Sequence, residues 1–364
     1  MALHFSRDTK VYLEKNGRVW EIPVLDGFSF SQATNASEIT LNEMANSAGD
    51  SRRARQMFND SYAPAEWSFA SYMRPNSAGL PAEDALWASF VSNTASSVSA
   101  TQWSSSNSAV QASASSGSWE ITMKDSNKTT VGTFDLYFVM GAAQSATNSY
   151  STSTAVTVYK IQQCVANEAS IDFEIDGIAT INWSGFGKII EEVSGFDASA
   201  VTARSIDSSS NFIRNRLTSL TASVNVGNGP VTYDITLTGG NITFNNNITY
   251  LTPETLGIVN QPLDHVTGTR NIGGNFTCYL DTSASSSVDL FEDIIEATTD
   301  ITNSSNLVFS IGGTSDPKVV ITMPNCHLEV PQHSIEDVIS LETTFHALPS
   351  DIDSANEATI QYSG

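Results

Sequence analysis

Apolar and polar residues alternate through most of this chain, a period of two that marks strands with one buried face. The clearest case is residues 67–72, where Trp67, Phe69 and Ser71 share one side and Ser68 and Tyr72 the other. Apolar runs at 11–13 and 19–25 flank Lys15, Asn16 and Gly17, and Asn-Gly between two such runs predicts a tight hairpin. A strand is expected to start at 27–30, then a polar segment over 31–37, an apolar run at 39–41, and a loop over 61–64 leading into the Trp67 strand. Further strands are predicted at 119–123, 134–140, 155–165, 170–175 and 178–183, with an exposed loop or irregular hairpin over the Ser/Thr-rich stretch 92–118. The period changes at 81–91. There Pro81, Glu83 and Asp84 precede Leu86, Trp87, Phe90 and Val91, which predicts an amphipathic helix with an acidic first turn.

This order of elements comes round a second time. Asn16-Gly17 before Trp20, Glu21 and Ile22 is matched by Asn228-Gly229 before Tyr233, Asp234 and Ile235. Residues 27–30 match 240–244, 39–41 match 248–250, and 69–73 match 276–280. The helix carrying Leu86-Trp87 finds its counterpart in Leu290-Phe291 within 288–297, which Ser286 and Asp289 are placed to cap. Residues 136–141 recur as 307–312, Cys164 and Cys326 close corresponding strands, and 176–181 parallels 336–341. A collinear series of this kind signals tandem duplication. The expected fold is mainly β (α+β): two tandem β-sandwich or barrel domains, 1–195 and 211–364, each flanked by one helix and joined by a polar linker at 196–210.

Composition narrows the function classes. The 364 residues are 40% hydrophobic, enough for substantial cores. No stretch approaches the roughly 20 apolar residues of a membrane span, and residues 1–10 lack the apolar centre of a signal peptide, so a protein made and used from the cytosol is expected. Three cysteines without metal-ligand spacing predict buried free thiols. Asn241-Ile242-Thr243 and Asn247-Ile248-Thr249 read as strand and turn chemistry rather than glycan acceptors. The 39 acidic residues against 17 basic ones, a net charge of −22, argue against gripping nucleic acid, which needs cations to displace counterions. The same charge suits a surface along which DNA slides, or simple solubility.

Catalytic signatures are missing. The five histidines form no metal-binding spacing, and there is no phosphate-cradling glycine loop or nucleophile elbow, so no enzyme, metal or cofactor is expected. Paired carboxylates on a β scaffold leave glycoside hydrolysis as one alternative, and an extracellular β-sandwich binding module as another. Two local patterns stand out. Arg52, Arg53 and Arg55 reverse the charge just ahead of the Trp67 strand, as a surface loop or an assembly loop would. In 171–176, Asp172, Glu174 and Asp176 alternate with Ile171, Phe173 and Ile175, which reads as a solvated face or a channel lining.

Residues 58–61 (Phe-Asn-Asp-Ser) followed by Ala65, Glu66, Trp67, Ser68, Phe69, Tyr72 and Pro75, and residues 245–253 after Gly239-Gly240, carry a specific resemblance. Leu86-Trp87, 181–185 and 349–353 add softer matches. Along nearly its whole length the sequence resembles the major tail tube proteins of T-five-like long-tailed bacteriophages. That resemblance implies two tail-tube domains per chain, and homotrimeric rings that mimic hexameric ones and stack into a hollow conduit in the virion tail. It also implies assembly in the host cytoplasm, a tail-tip initiator, a tail terminator, a tape measure protein in the lumen before ejection, and viral DNA transiting without specific binding. Under this reading Arg52, Arg53, Arg55, Phe58, Asn59, Asp60, Tyr250, Leu251 and Pro253 are expected at inter-ring or inter-subunit contacts, with 51–64 and 251–270 reaching adjacent rings. Asp172, Glu174 and Asp176 are expected to face the lumen. The T-five type has an additional C-terminal immunoglobulin-like domain, whereas this sequence ends at Gly364, so host-surface decoration is not expected. A tail-tip ring or tail terminator is the nearest alternative.

Overall fold

The computed structural model describes residues 3–39, 48, 56–77, 79–91, 97–99, 102–104, 110–113, 117–123, 130–142, 145, 147–153, 155–199, 211–225, 230–296, 305–335, 338–352 and 354–364. In the first half, strands β1 (Thr9–Lys15), β2 (Arg18–Ile22), β3 (Ser29–Glu38) and β4 (Met57–Tyr72) precede helix α1 (Asp84–Val91). Three short strands follow: β5 (Ser97–Ser99), β6 (Gln102–Ser104) and β7 (Val110–Ser113). Then come β8 (Ser118–Thr122), β9 (Phe134–Met140), β10 (Ser149–Ser151), β11 (Thr157–Phe173), β12 (Thr180–Gly187), β13 (Ile190–Glu192) and β14 (Gly195–Asp197). The second half opens with β15 (Ser219–Asn225), β16 (Pro230–Ile235), β17 (Leu237–Asn245), β18 (Ile248–Leu251), β19 (Asp264–Thr267) and β20 (Asn271–Tyr279). It continues through α2 (Ser287–Glu296), β21 (Ser305–Ile311), β22 (Lys318–Leu328), β23 (Gln332–Ser334), β24 (Ser340–Ala347) and β25 (Thr359–Ser363).

The expected hairpin is present: Asn16 and Gly17 both take positive φ, the geometry a two-residue turn between twisted strands demands. The polar segment 31–37 continues the strand expected to start at 27–30, its backbone carried by the ladder to β4 rather than by apolar side chains. Two local expectations are corrected. Residues 61–64, expected as a loop, lie inside β4; Pro64, which has no N–H, sits where a bulge interrupts that ladder, and Gln32 Nε2 bonds the neighbouring Ala63 carbonyl instead. The separate strands at 155–165 and 170–175 are one strand, β11, bent at a bulge where Gln163 has φ 50°. The apolar run at 39–41 falls largely outside the described residues.

Repetition is visible pairing by pairing. β1–β2, β1–β9 and β9–β11 correspond to β15–β16, β15–β21 and β21–β22. Likewise β11–β12, β12–β4 and β4–β3 correspond to β22–β24, β24–β20 and β20–β17. The bulges coincide as well: the ladder shifts between Ile161 and Cys164 in β11 and between Met323 and Cys326 in β22. At each bulge the buried thiol points back at the carbonyl three residues earlier, Cys164 to Ile161 and Cys326 to Met323. The three cysteines are free and buried, and burial pushes the Cys326 thiol up to about 12 and that of Cys278 to about 11.

The halves are hydrogen-bonded into one another. β11 pairs with β17, Ile171 opposite Ile242, so one antiparallel sheet runs β3-β4-β12-β11-β17-β20-β24 and ends on the β22 terminus and β23. On the opposite layer β25, from the end of the chain, lies between β22 and β8. Between the layers the Trp87 indole meets Trp183, Phe90 and Phe244 edge-on and donates its N–H to the Tyr362 hydroxyl at 3.1 Å. Every residue of α1 is buried, Asp84 and Ser89 included, which corrects the amphipathic helix expected from sequence: it is enclosed on all sides and has no solvent face. α2 is amphipathic and leaves Glu292 and Ile295 exposed. At its start Asp289 accepts a bond from the Ser285 N–H, whereas the Ser286 hydroxyl bonds the Asp281 carbonyl rather than the helix.

Glu83, at the entrance to α1, is fully buried and accepts the Tyr362 hydroxyl at 2.9 Å. Burial outweighs that bond and raises its carboxyl to about 8, from an ordinary value of 4.5. The fold therefore holds the neutral acid through a range in which the unfolded chain releases the proton. Stability from this group is complete below pH 4.5 and lost as pH rises to about 8. Chemical denaturation is expected to show stability falling by a few kcal/mol between pH 5 and 8, and Glu83→Gln is expected to flatten that slope.

Candidate functional site

The continuous sheet buries one face and exposes the other. Trp67, Phe69, Ile171, Ile181, Trp183, Ile242, Phe244 and Phe276 point into the core. By strand alternation the opposite face carries Ser29, Ser31, Glu66, Ser68, Asn182, Ser184, Glu168, Ser170, Asp172, Asn241, Thr243, Asn245, Asn275, Thr277, Glu342 and Thr344. Hydroxyls and amides alternate with carboxylates. β3, β4, β12, β17, β20, β23 and β24, and β11 beyond its bulge, contain no lysine or arginine.

Three of the carboxylates are each held by an asparagine on a neighbouring strand. Asn182 Nδ2 donates to Asp172 at 3.2 Å, Asn245 Nδ2 to Glu168 at 3.0 Å, and Asn275 Nδ2 to Glu342 at 2.8 Å. The amide neutralises no charge. It orients the acid along the sheet while leaving its negative field intact, and an Asn–carboxylate pair offers phosphate no cation to bind. This acidic surface, on strands without lysine or arginine, repels a polyanion.

Of the acids singled out in sequence, Asp172 lies on this face, while Glu174 and Asp176 lie past the end of β11 in an exposed turn. The alternation stops because Ile175 has left the core and is half exposed. Glu66, Glu168 and Glu342 were not singled out. Each stands in a strand whose facing becomes readable only once the ladder partners are known.

The expected contact residues gather at the end of the sheet where β4 begins. Phe58 is exposed beside Asn59 and Asp60, and Asp60 accepts the Ser37 hydroxyl. Leu251 and Pro253 are exposed in the segment leaving β18, while Tyr250 is buried and donates its hydroxyl to the Gln163 carbonyl. Arg52, Arg53 and Arg55 lie outside the described residues. Asn260 joins the two segments: its N–H bonds the Asp60 carbonyl at 3.1 Å and its carbonyl accepts the Tyr62 N–H at 2.9 Å. Its side chain also closes the 255–260 loop through the Thr255 backbone and hydroxyl. That loop holds Leu256 and Ile258 out in solvent, a feature missed in sequence, where 252–263 shows no period.

Among the described residues no cluster of metal-ligating side chains occurs. The family profile described as phage tail tube protein matches residues 34–347. The chain is also similar to tail tube protein pb6 of Escherichia phage T5, 29% identical over 385 aligned positions that take in all of this chain and 76% of that protein. Given the extent of these matches over a duplicated β architecture, the chain belongs to the phage tail tube protein family, a family of structural virion proteins and not of enzymes.

Proposed function

We propose that three copies of this chain close into a ring of six tail-tube repeats, that rings stack into a hollow tube, and that the acidic face of the shared sheet lines its lumen. Each repeat is one domain of the division 1–195 and 211–364. The observation that carries the reading is the acidic face without lysine or arginine, continuous across both repeats, with three of its carboxylates held by asparagine partners. A wall that must pass DNA quickly gains from repulsion and from the absence of phosphate-binding groups. Asp172 faces the passage, with Glu174 and Asp176 at its rim.

Stacking belongs to the ends of the strands. Phe58, Asn59, Asp60, Leu251, Pro253 and the Leu256–Ile258 prong meet the next ring, together with Arg52, Arg53 and Arg55, which bring positive charge to an acidic neighbour. A head-to-tail contact of this kind does not close on itself and so propagates as a filament. The tube is assembled in the bacterial cytoplasm on a tail-tip initiator, is closed by a terminator and surrounds a tape measure protein until DNA passes.

Electron microscopy of the concentrated protein, with and without tail-tip components, tests this. Hollow stacked rings whose mass corresponds to three chains each are the expected result. Single closed rings that never stack would point to a tail-tip or terminator role, and monomers that persist even with tail-tip components would overturn the tube reading.

A further inference from the structure

The chain contains one complete junction between repeats and the two unused halves of another. Within the chain the outer edge of β11 takes up β17: Ile171 faces Ile242, Ser170 faces Thr243, and Phe173 faces Gly240. That junction is sealed on the buried face of the sheet at two points. Phe173 stacks on Phe309 of the second half at 5.7 Å, and Phe244 and Asn246 of the second half cover α1, with Asn246 Nδ2 donating to the Phe90 carbonyl at 3.0 Å.

Ladder positions identify the counterparts. Ile171 and His333 both face the equivalent β12 and β24 positions, Ile181 and Leu341, so β23 continues the second repeat as the end of β11 continues the first. Phe30 and Ile242 both lie opposite the equivalent β4 and β20 positions, Trp67 and Gly274, so β3 corresponds to β17. Among the described pairings β3 bonds only β4 and β23 only β24, leaving one edge of each open. The counterpart of Phe173 is Ile335, which is 80% exposed. The counterpart of the fully buried α1 is α2, whose outer face forms a mainly apolar groove lined by Leu280, Val288, Phe291, Glu292, Ile295 and His333.

We propose that the β23 edge, Ile335 and the α2 groove of one protomer receive β3 of the next protomer in the register that β11 and β17 use within the chain. Gln332 then faces Ser31 of the next protomer, Ser334 faces Ser29 and His333 faces Phe30. Ile335 is buried against the aromatic cluster of Phe28, Phe30 and Phe138, where Phe28 and Phe138 already pack at 5.9 Å. The occupant is a second copy, because the same surface on the first repeat is filled by this chain itself. Edge pairing supplies main-chain bonds, and the groove and Ile335 supply apolar burial that fixes which strand enters and in which register. This rests on the ring reading and adds its contact surface.

Cysteine pairing tests the register. Gln332→Cys combined with Ser31→Cys, both at exposed strand positions, is expected to oxidise into covalent trimers in assembled rings, since directly opposed residues lie within disulfide range, about 4.4–6.8 Å between Cα atoms. Each single variant, and Gln332→Cys with Ala33→Cys, two residues out of register, is expected to give at least tenfold less. As an independent readout, Ile335→Arg is expected to leave the unfolding of the monomer unchanged and to raise the concentration needed for ring formation more than tenfold. Rings seen by microscopy that link preferentially through the out-of-register pair, or that form normally with Ile335→Arg, would overturn this surface while leaving the tube reading intact. Failure of the unsubstituted chain to form rings on its tail-tip initiator would remove both.

Discussion

A Trp87→Ala chain is expected to lose about 3–5 kcal/mol of folding stability. Trp87 is fully buried at the point where the two repeats meet. Its ring is 4.8 Å from Trp183 of the first repeat and 5.4 Å from Phe244 of the second, and its N–H bonds Tyr362 on the strand that returns from the end of the chain. Truncation opens a cavity lined by aromatic residues from distant segments, which have no common backbone movement that would close it. It also removes a donor to the Tyr362 hydroxyl, which is left with the buried Glu83 carboxyl. The counterpart change Phe291→Ala is expected to cost the unassembled protein distinctly less, because that side chain borders an open groove. Urea unfolding of both variants as monomers makes the comparison. Equal losses would show that α1 is not the seam described.

Glu66→Lys, Asp172→Lys and Glu342→Lys together are expected to leave tubes assembled and to arrest DNA within them at low salt. All three side chains are exposed on the sheet face and none packs in the core, so the fold should change by less than about 1 kcal/mol per site. The change replaces repulsion with phosphate contacts repeated along the tube. Even about six such contacts make DNA affinity fall on the order of 10³-fold between 50 and 200 mM salt, so ejection should recover steeply across that range. Ejected DNA measured against salt concentration checks this, with the matching Glu→Gln and Asp→Asn variant as the neutral control. Ejection by the lysine variant that matches the unsubstituted tube at every salt concentration would place this face away from the DNA path.

Much of this protein was determined locally and could be read from the chain alone. The Asn16-Gly17 hairpin follows from two residues that tolerate positive φ, and the helices from a change of apolar period. The duplication follows from the recurrence of these signals in order, and the free thiols from cysteine number and spacing. Tail-tube family membership was legible in the same way, through segments such as 58–69 and 245–253 that are specific as strings of residues.

Facing, continuity and closure were decided only by the tertiary structure. Pro64 is tolerated within β4 because β4 bulges there, Ala63 and Pro64 together lying opposite Ala33 alone, a register set by Gln32 and Thr34 about thirty residues away. Glu66, Glu168 and Glu342 come to share one face because β4, β11 and β24 lie in one sheet at particular registers, and a shift of one residue in any ladder would turn its acid into the core. The Asn245–Glu168 bond joins residues 77 positions apart. Alternation within a strand depends on backbone geometry and survives in sequence. Which strand edges meet, and which stay unpaired among the described residues, depends on hydrogen bonds between segments far apart, and no local pattern encodes it.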